Sequence, residues 1–263
     1  MRKTFAAEFV YQVFSLLLAV IIVHAIYVAV IRPNADEDLE REIAAMRANP
    51  DHVPERSLYV LIRDFEQETC FILMLWAFAI MGFKGVSAHR ERRLLESDLV
   101  PESREAQSVE SYAAELSRRL RALPDTVQGF LLPRALGAAL QRYAATGHVQ
   151  DVSAAAREVC TSEGERLESE LSIIRYVAWA IPSIGFIGTV RGIGEALGQA
   201  HRAVEGDITG VTQSLGVAFN STLIALLISL VVMFFVHQLQ LVQERLVLDT
   251  EQYCDQHLVR YLR

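Results

Sequence analysis

The sequence predicts an all-α integral membrane protein with four transmembrane helices and a helical cytoplasmic domain. Apolar residues make up 52% of the 263 residues although 22% are charged. The two figures are compatible when apolar residues cluster in membrane spans and charges lie between them. Four stretches meet the length that a bilayer requires, about 20 mostly apolar residues at about 1.5 Å each, and the charges are concentrated between those stretches.

Residues 1–31 contain the N-terminus and the first span. The apolar run covers residues 9–31, begins after Glu8 and is closed by Arg32 and Pro33. A run of this length exceeds the roughly 7–15 apolar residues of a secretion signal, and no small-residue cleavage site follows it. We therefore expect the first span to be retained.

Residues 32–68 form a predicted periplasmic segment, which is polar and acidic. The segment holds ten Asp or Glu residues against five Arg. Leu39, Ile43 and Met46 recur at helical spacing, so we expect part of the segment to be helical.

The second span, residues 69–86, is the shortest, and the side chain of Lys84 at its inner end is long enough to reach the interface.

Residues 87–172 form a predicted cytoplasmic helical domain, without a glycine-rich phosphate loop or a metal-ligand spacing. Its apolar residues at helical spacing include Val109, Tyr112, Leu116, Leu120 and Leu123.

The third span covers residues 173–197 and the fourth residues 208–236, and a periplasmic connection, residues 198–207, joins them. After the fourth span, residues 237–263 predict an amphipathic cytoplasmic helix. Lys and Arg precede the first span and follow the second, which places both termini in the cytoplasm. The net charge of −7 argues against a nucleic-acid partner.

Spans three and four both carry a face of small residues. On span three, Gly185, Gly188 and Gly192 lie three and four residues apart, and neighbouring helices can satisfy the carbonyl that Pro182 frees. On span four the small face consists of Ala218, Thr222, Ala225 and Ser229. Small residues at this spacing let membrane helices approach closely. We expect these faces to be too extensive for one hairpin to bury, and so to pack a homo-oligomeric ring and receive a partner helix.

Thr189 and Thr222 are the candidate ion-pathway residues. Thr189 lies 14 residues from Arg175 and Thr222 lies 15 residues from His237, which is about 21 and 22 Å of helix. The two hydroxyls are therefore predicted to reach the same membrane level, where a ring of hydroxyls holds water or passes an ion onward. The alternative is that each threonine bonds to carbonyls of its own helix and only aids packing.

The strings PSIGFIGTVRGI and AFNSTLIALLIS resemble the MotA/TolQ/ExbB proton-channel family over roughly residues 174–236. The matching positions are Pro182, Gly185, Gly188, Thr189, Val190, Gly192 and Thr222. The resemblance implies a homopentamer around a dimer of single-span partners of the ExbD/TolR/MotB type. It also implies that an intramembrane aspartate of the partner binds the translocated proton, or sodium in some stators.

Two features of this chain do not fit any single branch of that family. TolQ and ExbB usually carry a glutamate five residues before the threonine of the last span, where this chain has Val217. Four spans resemble the flagellar stator branch instead, whereas the GTV motif is more similar to TolQ and ExbB. The physiological task is therefore open between motility, envelope energisation, gliding and phage defence.

Spans three and four contain no Asp or Glu between Arg175 and Arg191, or between Asp207 and Glu244. A proton pathway needs a titratable group within the membrane, so the resemblance is consistent with a carboxylate supplied by another chain. Arg191 is expected to form a gate, to pair with a partner's acid, or to extend to the interface.

His24, in the first span, either titrates or is a hydrogen-bonded packing residue.

The function expected is that of a channel or stator subunit of an ion-driven motor in the bacterial inner membrane. The alternative is a non-conducting oligomeric membrane scaffold. No nucleophile, metal or carboxylate constellation indicates an enzyme, and no cofactor or metal is expected.

Overall fold

The computed structural model describes residues 2–48, 57–97, 99–100 and 109–259, and within them every regular element is a helix. The α-helices are α1 Arg2–Ile26, α2 Arg32–Ala48, α3 Leu58–Leu61, α4 Phe65–Leu95, α5 Val109–Ala122, α6 Asp125–Gln128, α7 Leu131–Thr146, α8 Val149–Glu170, α9 Ser172–Gly198, α10 Ala200–Val204 and α11 Thr209–Cys254. Two π-helical segments, Tyr27–Ile31 and Asp255–Val259, continue α1 and α11.

Four helical stretches are long and apolar enough to cross a membrane: Ala7–Ala45, Phe65–Leu95, Val149–Gly198 and Thr209–Val259. Each of them contains one of the predicted spans. Each also runs on beyond its span, because the helical backbone continues into the polar sequence that follows or precedes it.

The first helix continues past Arg32 and Pro33, the residues that close the first apolar run. The π-helical segment Tyr27–Ile31 leads directly into α2, and the helix continues through Pro33. A proline ring collides with the carbonyl four residues earlier and donates no hydrogen bond. That carbonyl belongs to the π-helical turn, which is the kind of local adjustment that accommodates such an interruption without ending the helix.

The described chain divides into two compact units. The first comprises residues 1–81 and 173–236, and therefore holds α1 to α3, the first half of α4, and most of α9, α10 and α11. Tyr27 and Val23 pack against Phe71 and Leu75 of α4. The ring nitrogen of Trp76 donates to the Gln12 carbonyl at 2.9 Å, so α1 and α4 are also linked by hydrogen bonds.

The second unit comprises residues 82–172 and 237–263. Its core brings together α5, α7, α8 and the end of α11, with Leu116, Leu136, Val152 and Leu258 fully buried. The apolar residues predicted at helical spacing in residues 87–172 form one side of this core, since Tyr112, Leu116 and Leu120 are all buried in it.

Lys84 does not extend to an interface. Its side chain is 5% exposed, and its Nζ lies 2.7 Å from the carboxylate of Glu170 at the end of α8. The neighbouring carboxylate Glu163 is also buried, and accepts from Arg134 at 2.8 Å and from Arg166. A buried charge needs a partner of opposite sign, and α8 supplies it for Lys84.

Candidate functional site

The candidate site lies where α9 crosses α11, and the glycines of α9 make the crossing possible. A Cβ placed on Gly185 would lie 2.5 Å from the Cβ of Ala225, and one on Gly188 would lie 2.5 Å from the Cβ of Ser221. Gly192 faces Ala218 at a similarly short distance. The two helices therefore touch backbone to side chain, as the small-residue stripes predict.

These small-residue faces are buried against each other within one chain. Gly185, Gly188 and Gly192 are buried on α9, while Ala218 and Ala225 are completely buried on α11. The expectation that one hairpin could not bury both faces is wrong, because each stripe is the other's packing surface. The faces of α9 and α11 that remain exposed carry large apolar side chains instead, such as Val190 and Leu230.

Pro182 and Ser229 are linked through a backbone carbonyl. Pro182 has no N–H, so the Ala178 carbonyl one turn earlier lacks its helical donor. The hydroxyl of Ser229 on α11 donates to that carbonyl at 2.9 Å. A side chain of the neighbouring helix thus replaces the missing backbone donor, which is how a membrane helix tolerates proline.

Thr189 and Thr222 meet between the two helices, with their hydroxyl oxygens in direct hydrogen-bond contact. The Thr189 hydroxyl also lies 3.1 Å from the Ala218 carbonyl, and that of Thr222 lies 3.1 Å from the Gly185 carbonyl. Each hydroxyl has one proton to donate. The pair can therefore be ordered in two directions. Either Thr222 donates to Thr189, which donates to the carbonyl of Ala218 or Gly185, or Thr189 donates to Thr222, which donates to the Gly185 carbonyl.

An acidic residue of the chain itself, Glu66, contacts the α9–α11 crossing at Gly188. The Cγ of Glu66, in the first turn of α4, lies 3.1 Å from the position that a Gly188 Cβ would occupy. Spans three and four are free of acids at this level, but α4 brings one in from outside them.

Arg191 pairs with that carboxylate. Its Nε and Nη2 atoms donate to the two oxygens of Glu66 at 2.7 and 2.9 Å, and its Nη1 donates to Glu195 at 2.9 Å. A bidentate arginine–carboxylate pair is both strong and fixed in geometry. Arg191 is therefore paired within its own chain, by Glu66 and Glu195, and does not depend on a partner's acid.

The next residue of α4, Gln67, contacts α11. Gln67 is fully buried, and its Nε2 lies 3.4 Å from the Ser221 hydroxyl and 3.2 Å from the Leu61 carbonyl. Its Oε1 is buried without a hydrogen-bond partner among the residues that the structure describes. The Ser221 hydroxyl in turn donates to the Val217 carbonyl at 2.9 Å, so Val217 contributes a backbone acceptor to this group of hydrogen bonds.

Glu68 completes the turn and contacts the α1 stretch. Its Oε1 lies 2.6 Å from Nδ1 of His24, and its Oε2 accepts from Arg32. Glu66, Gln67 and Glu68 thus link α4 to three different helical stretches: Glu66 to α9, Gln67 to α11, and Glu68 to the stretch of α1 and α2.

The sequence interpretation missed this turn because it assigned residues 32–68 to the segment outside the membrane. A signal was present in Arg191, since an arginine inside a span requires an acid nearby. Glu195 lies four residues after Arg191 on the same span, and Glu66 and Glu68 immediately precede the second span.

No group of three or more His, Cys, Asp or Glu side chains suited to a metal ion occurs within the described residues.

Residues 130–252 match the model of the MotA/TolQ/ExbB proton channel family. The match runs from the start of α7 to the end of α11, so it includes the α9–α11 crossing and leaves α1 and α4 outside. No curated protein and no solved structure matches the chain.

Proposed function

Residues 130–252 belong to the MotA/TolQ/ExbB proton channel family, and on that basis we propose that this multi-pass membrane protein is the channel subunit of an ion-driven, stator-like motor. In this proposal it conducts protons, or sodium, together with a single-span partner and transmits mechanical work to the cell envelope. The chain lies in the bacterial inner membrane, with both termini and the second unit in the cytoplasm.

The observation that carries the proposal is the contact between the hydroxyls of Thr189 and Thr222. Both side chains are only partly buried in the single chain, and the contact lies inside the segment that matches the family. Hydroxyls at one level of a membrane pore coordinate water or an ion in transit. The two orderings of this pair allow either hydroxyl to present its lone pairs or its proton to such a ligand.

The proton-carrying carboxylate is proposed to come from the partner, as an aspartate in its single span. Glu66 contacts the helix crossing at Gly188, but Arg191 binds both of its oxygens. A carboxylate held in this way remains ionised, because protonation would break its ion pair with the arginine. Glu66 is therefore a poor carrier, and a second chain has to supply a carboxylate that exchanges its proton.

The ring is proposed to contain five copies, following the family. The exposed faces of α9 and α11 provide apolar surface for contacts with neighbouring copies or with lipid; Val190, for example, is 73% exposed in the single chain. Native mass spectrometry of the detergent-solubilised protein tests the count. Five copies are expected, and a species that is only monomeric or dimeric contradicts the ring.

A specific observation favours the alternative, a non-conducting membrane scaffold. Both threonine hydroxyls reach backbone carbonyls of the same chain, so their hydrogen bonds can be satisfied by packing alone. The two functions differ in whether ions pass.

The experiment uses proteoliposomes that hold this chain and the single-span protein recovered with it from membranes. Dissipation of an imposed pH gradient is measured while sodium is varied. The channel proposal predicts flux that needs both proteins and disappears when the partner's intramembrane Asp is replaced by Asn. Absence of flux with both proteins present would favour the scaffold.

A further inference from the structure

The first turn of α4 contains two carboxylates that are held differently. Both oxygens of Glu66 are bound by a single arginine, Arg191, which does not exchange protons at ordinary pH. Glu68 divides its oxygens between Arg32 and the imidazole of His24. Histidine is the side chain whose charge ordinarily changes between about pH 5 and pH 8, so only the Glu68 group includes a proton acceptor for that range.

The contact with Glu68 determines which nitrogen of His24 accepts the proton. An ionised carboxylate only accepts hydrogen bonds, and the other oxygen of Glu68 already accepts from Arg32. At 2.6 Å from Glu68 Oε1, Nδ1 therefore carries the hydrogen of this contact. In the neutral ring, Nε2 is then the nitrogen with a free lone pair.

His24 lies at the surface of the single chain, whereas its carboxylate partner Glu68 is buried. The His24 side chain is 58% exposed, whereas that of Glu68 is 8% exposed. The ring thus connects a buried anion with the surface of the α1 stretch.

The charged and titratable groups at this end of the unit are Tyr27, Arg32, Asp36, Arg63, Asp64, Glu66, Glu68, Cys70, Arg191 and Glu195. Among them, the buried hydroxyl of Tyr27 has no hydrogen-bond partner within the described residues.

We propose that His24 is a proton-binding site on the outer side of the membrane, with Nε2 as the accepting atom and Glu68 as the group that positions the ring. Uptake forms one N–H bond at Nε2 with a proton from hydronium and leaves water; release reverses the step. Protonation converts the His24–Glu68 hydrogen bond into an ion pair, which competes with Arg32 for the same carboxylate.

The site is linked to the candidate pathway through consecutive residues of one helical turn. Glu68 binds His24, while Gln67 contacts Ser221, the residue next to Thr222. A change in the hydrogen bonding of Glu68 therefore acts on a turn that also contacts α11. Only this link to transport rests on the proposed function; proton binding by His24 does not.

Proton binding is tested on the full-length chain in lipid bilayers by 15N NMR of labelled histidine. The chain has seven histidines, and the signal that is lost in His24→Asn identifies the ring. At about pH 8 the account predicts a hydrogen on Nδ1 and a bare Nε2, and a second hydrogen on Nε2 as the buffer is acidified to about pH 5. A hydrogen on Nε2 with a bare Nδ1 at the alkaline end would overturn the assignment, and so would a ring that stays singly protonated.

The link to transport is tested by chemical rescue in the proteoliposomes described above. His24→Ala should lower proton flux at least about tenfold. Imidazole added on the outer side should restore the flux, whereas pyrazole, a ring of the same size and much lower basicity, should not. The matched control is His201→Ala, which changes an exposed histidine of the 198–207 connection and should leave the flux unchanged.

Undiminished flux in His24→Ala, or equal rescue by imidazole and pyrazole, would refute a role of the site in transport. If the wild-type pair of proteins passes no ions, the proposed function fails, and the NMR measurement still decides whether His24 binds the proton. The two failures are therefore distinguishable.

Discussion

The hydroxyl of Ser229 donates a 2.9 Å hydrogen bond to the carbonyl of Ala178, the carbonyl that Pro182 leaves without its helical donor. A proline on one membrane helix and a serine on the next are thus two parts of a single interaction. Because hydrocarbon offers no alternative donor, the proline can be tolerated here only if a neighbouring side chain such as Ser229 supplies the missing hydrogen bond.

The first prediction follows from that link. Ser229→Ala should destabilise the chain by about 1–2 kcal/mol, because the Ala178 carbonyl loses its donor. In a Pro182→Ala background the backbone N–H of residue 182 returns, and Ser229→Ala should then have little effect. The free energies of unfolding of the four proteins in this double-mutant cycle are measured in bicelles. Additive effects would show that the hydrogen bond does not compensate for the proline.

The second prediction concerns the helix crossing. Gly188→Ala places a Cβ 2.5 Å from the Cβ of Ser221, so we expect overpacking of about 1–3 kcal/mol. Gly194→Ala on the same helix is the matched control, since a Cβ there meets nothing within 4 Å. A bulkier Gly188→Leu should act first on the fold of the single chain, and block assembly and partner docking as a result. Equal thermal midpoints for Gly188→Ala and Gly194→Ala would contradict this packing.

The third prediction concerns the Glu66–Arg191 pair. Arg191→Gln should be the more destabilising of the two single changes, because it leaves the Glu66 carboxylate, whose side chain is 10% exposed, without its cation. Glu66→Gln should cost less, since the Arg191 side chain is 38% exposed and keeps its bond to Glu195. The double variant, Glu66→Gln with Arg191→Gln, should recover part of the loss. A double variant as unstable as the sum of its single variants would show that the two residues act independently.

The fourth prediction is a pair of opposite pH effects in the second unit. Burial raises the pKa of Glu163, but the hydrogen bonds and charges of Arg166 and Arg134 outweigh burial and lower the pKa overall. A lowered pKa contributes stability that is complete above the ordinary value, about 4.3, and is lost as the pH falls through the folded-state value. Glu163→Gln should therefore destabilise α7 and α8 at neutral pH and remove this loss of stability in acid.

Glu91 should behave in the opposite way. Burial raises its pKa, and the hydrogen bond from the Leu131 N–H only partly offsets that effect. A carboxyl with a raised pKa destabilises the fold when it is ionised, so Glu91→Gln should stabilise the unit at neutral pH. Hydrogen exchange of the α7 and α8 amides, corrected for its intrinsic pH dependence, measures both effects. The control is Glu165→Gln, an exposed acid on α8, and the same sign for Glu91→Gln and Glu163→Gln would contradict the assignment.

The sequence was sufficient to predict the hairpin of α9 and α11. This hairpin depends on small residues whose spacing can be recognised within a short stretch of sequence. The spacing of Gly185, Gly188 and Gly192 defines one helical face, and the residue counts from Arg175 and His237 predict that Thr189 and Thr222 lie at the same level. Both follow from the 3.6-residue period alone.

The contacts of α4 could not be predicted in the same way. Glu66 and Glu68 precede an apolar run, and a hydropathy pattern assigns such residues to the aqueous segment. Their burial depends on Arg191 and Arg32, which lie 125 and 36 residues away along the chain.

The central claim is that the hydroxyls of Thr189 and Thr222 form part of an ion path. Valine has nearly the shape of threonine without the hydroxyl, so the Thr189→Val, Thr222→Val double variant should fold, assemble and recover the single-span partner as the wild type does. Val217→Ala is the matched control, because it changes an apolar side chain five residues from Thr222. The decisive measurement is the rate of pH-gradient dissipation in proteoliposomes that hold both proteins. The account predicts wild-type flux in Val217→Ala and a large loss in the double variant, whereas wild-type flux in the double variant would assign both hydroxyls to packing alone.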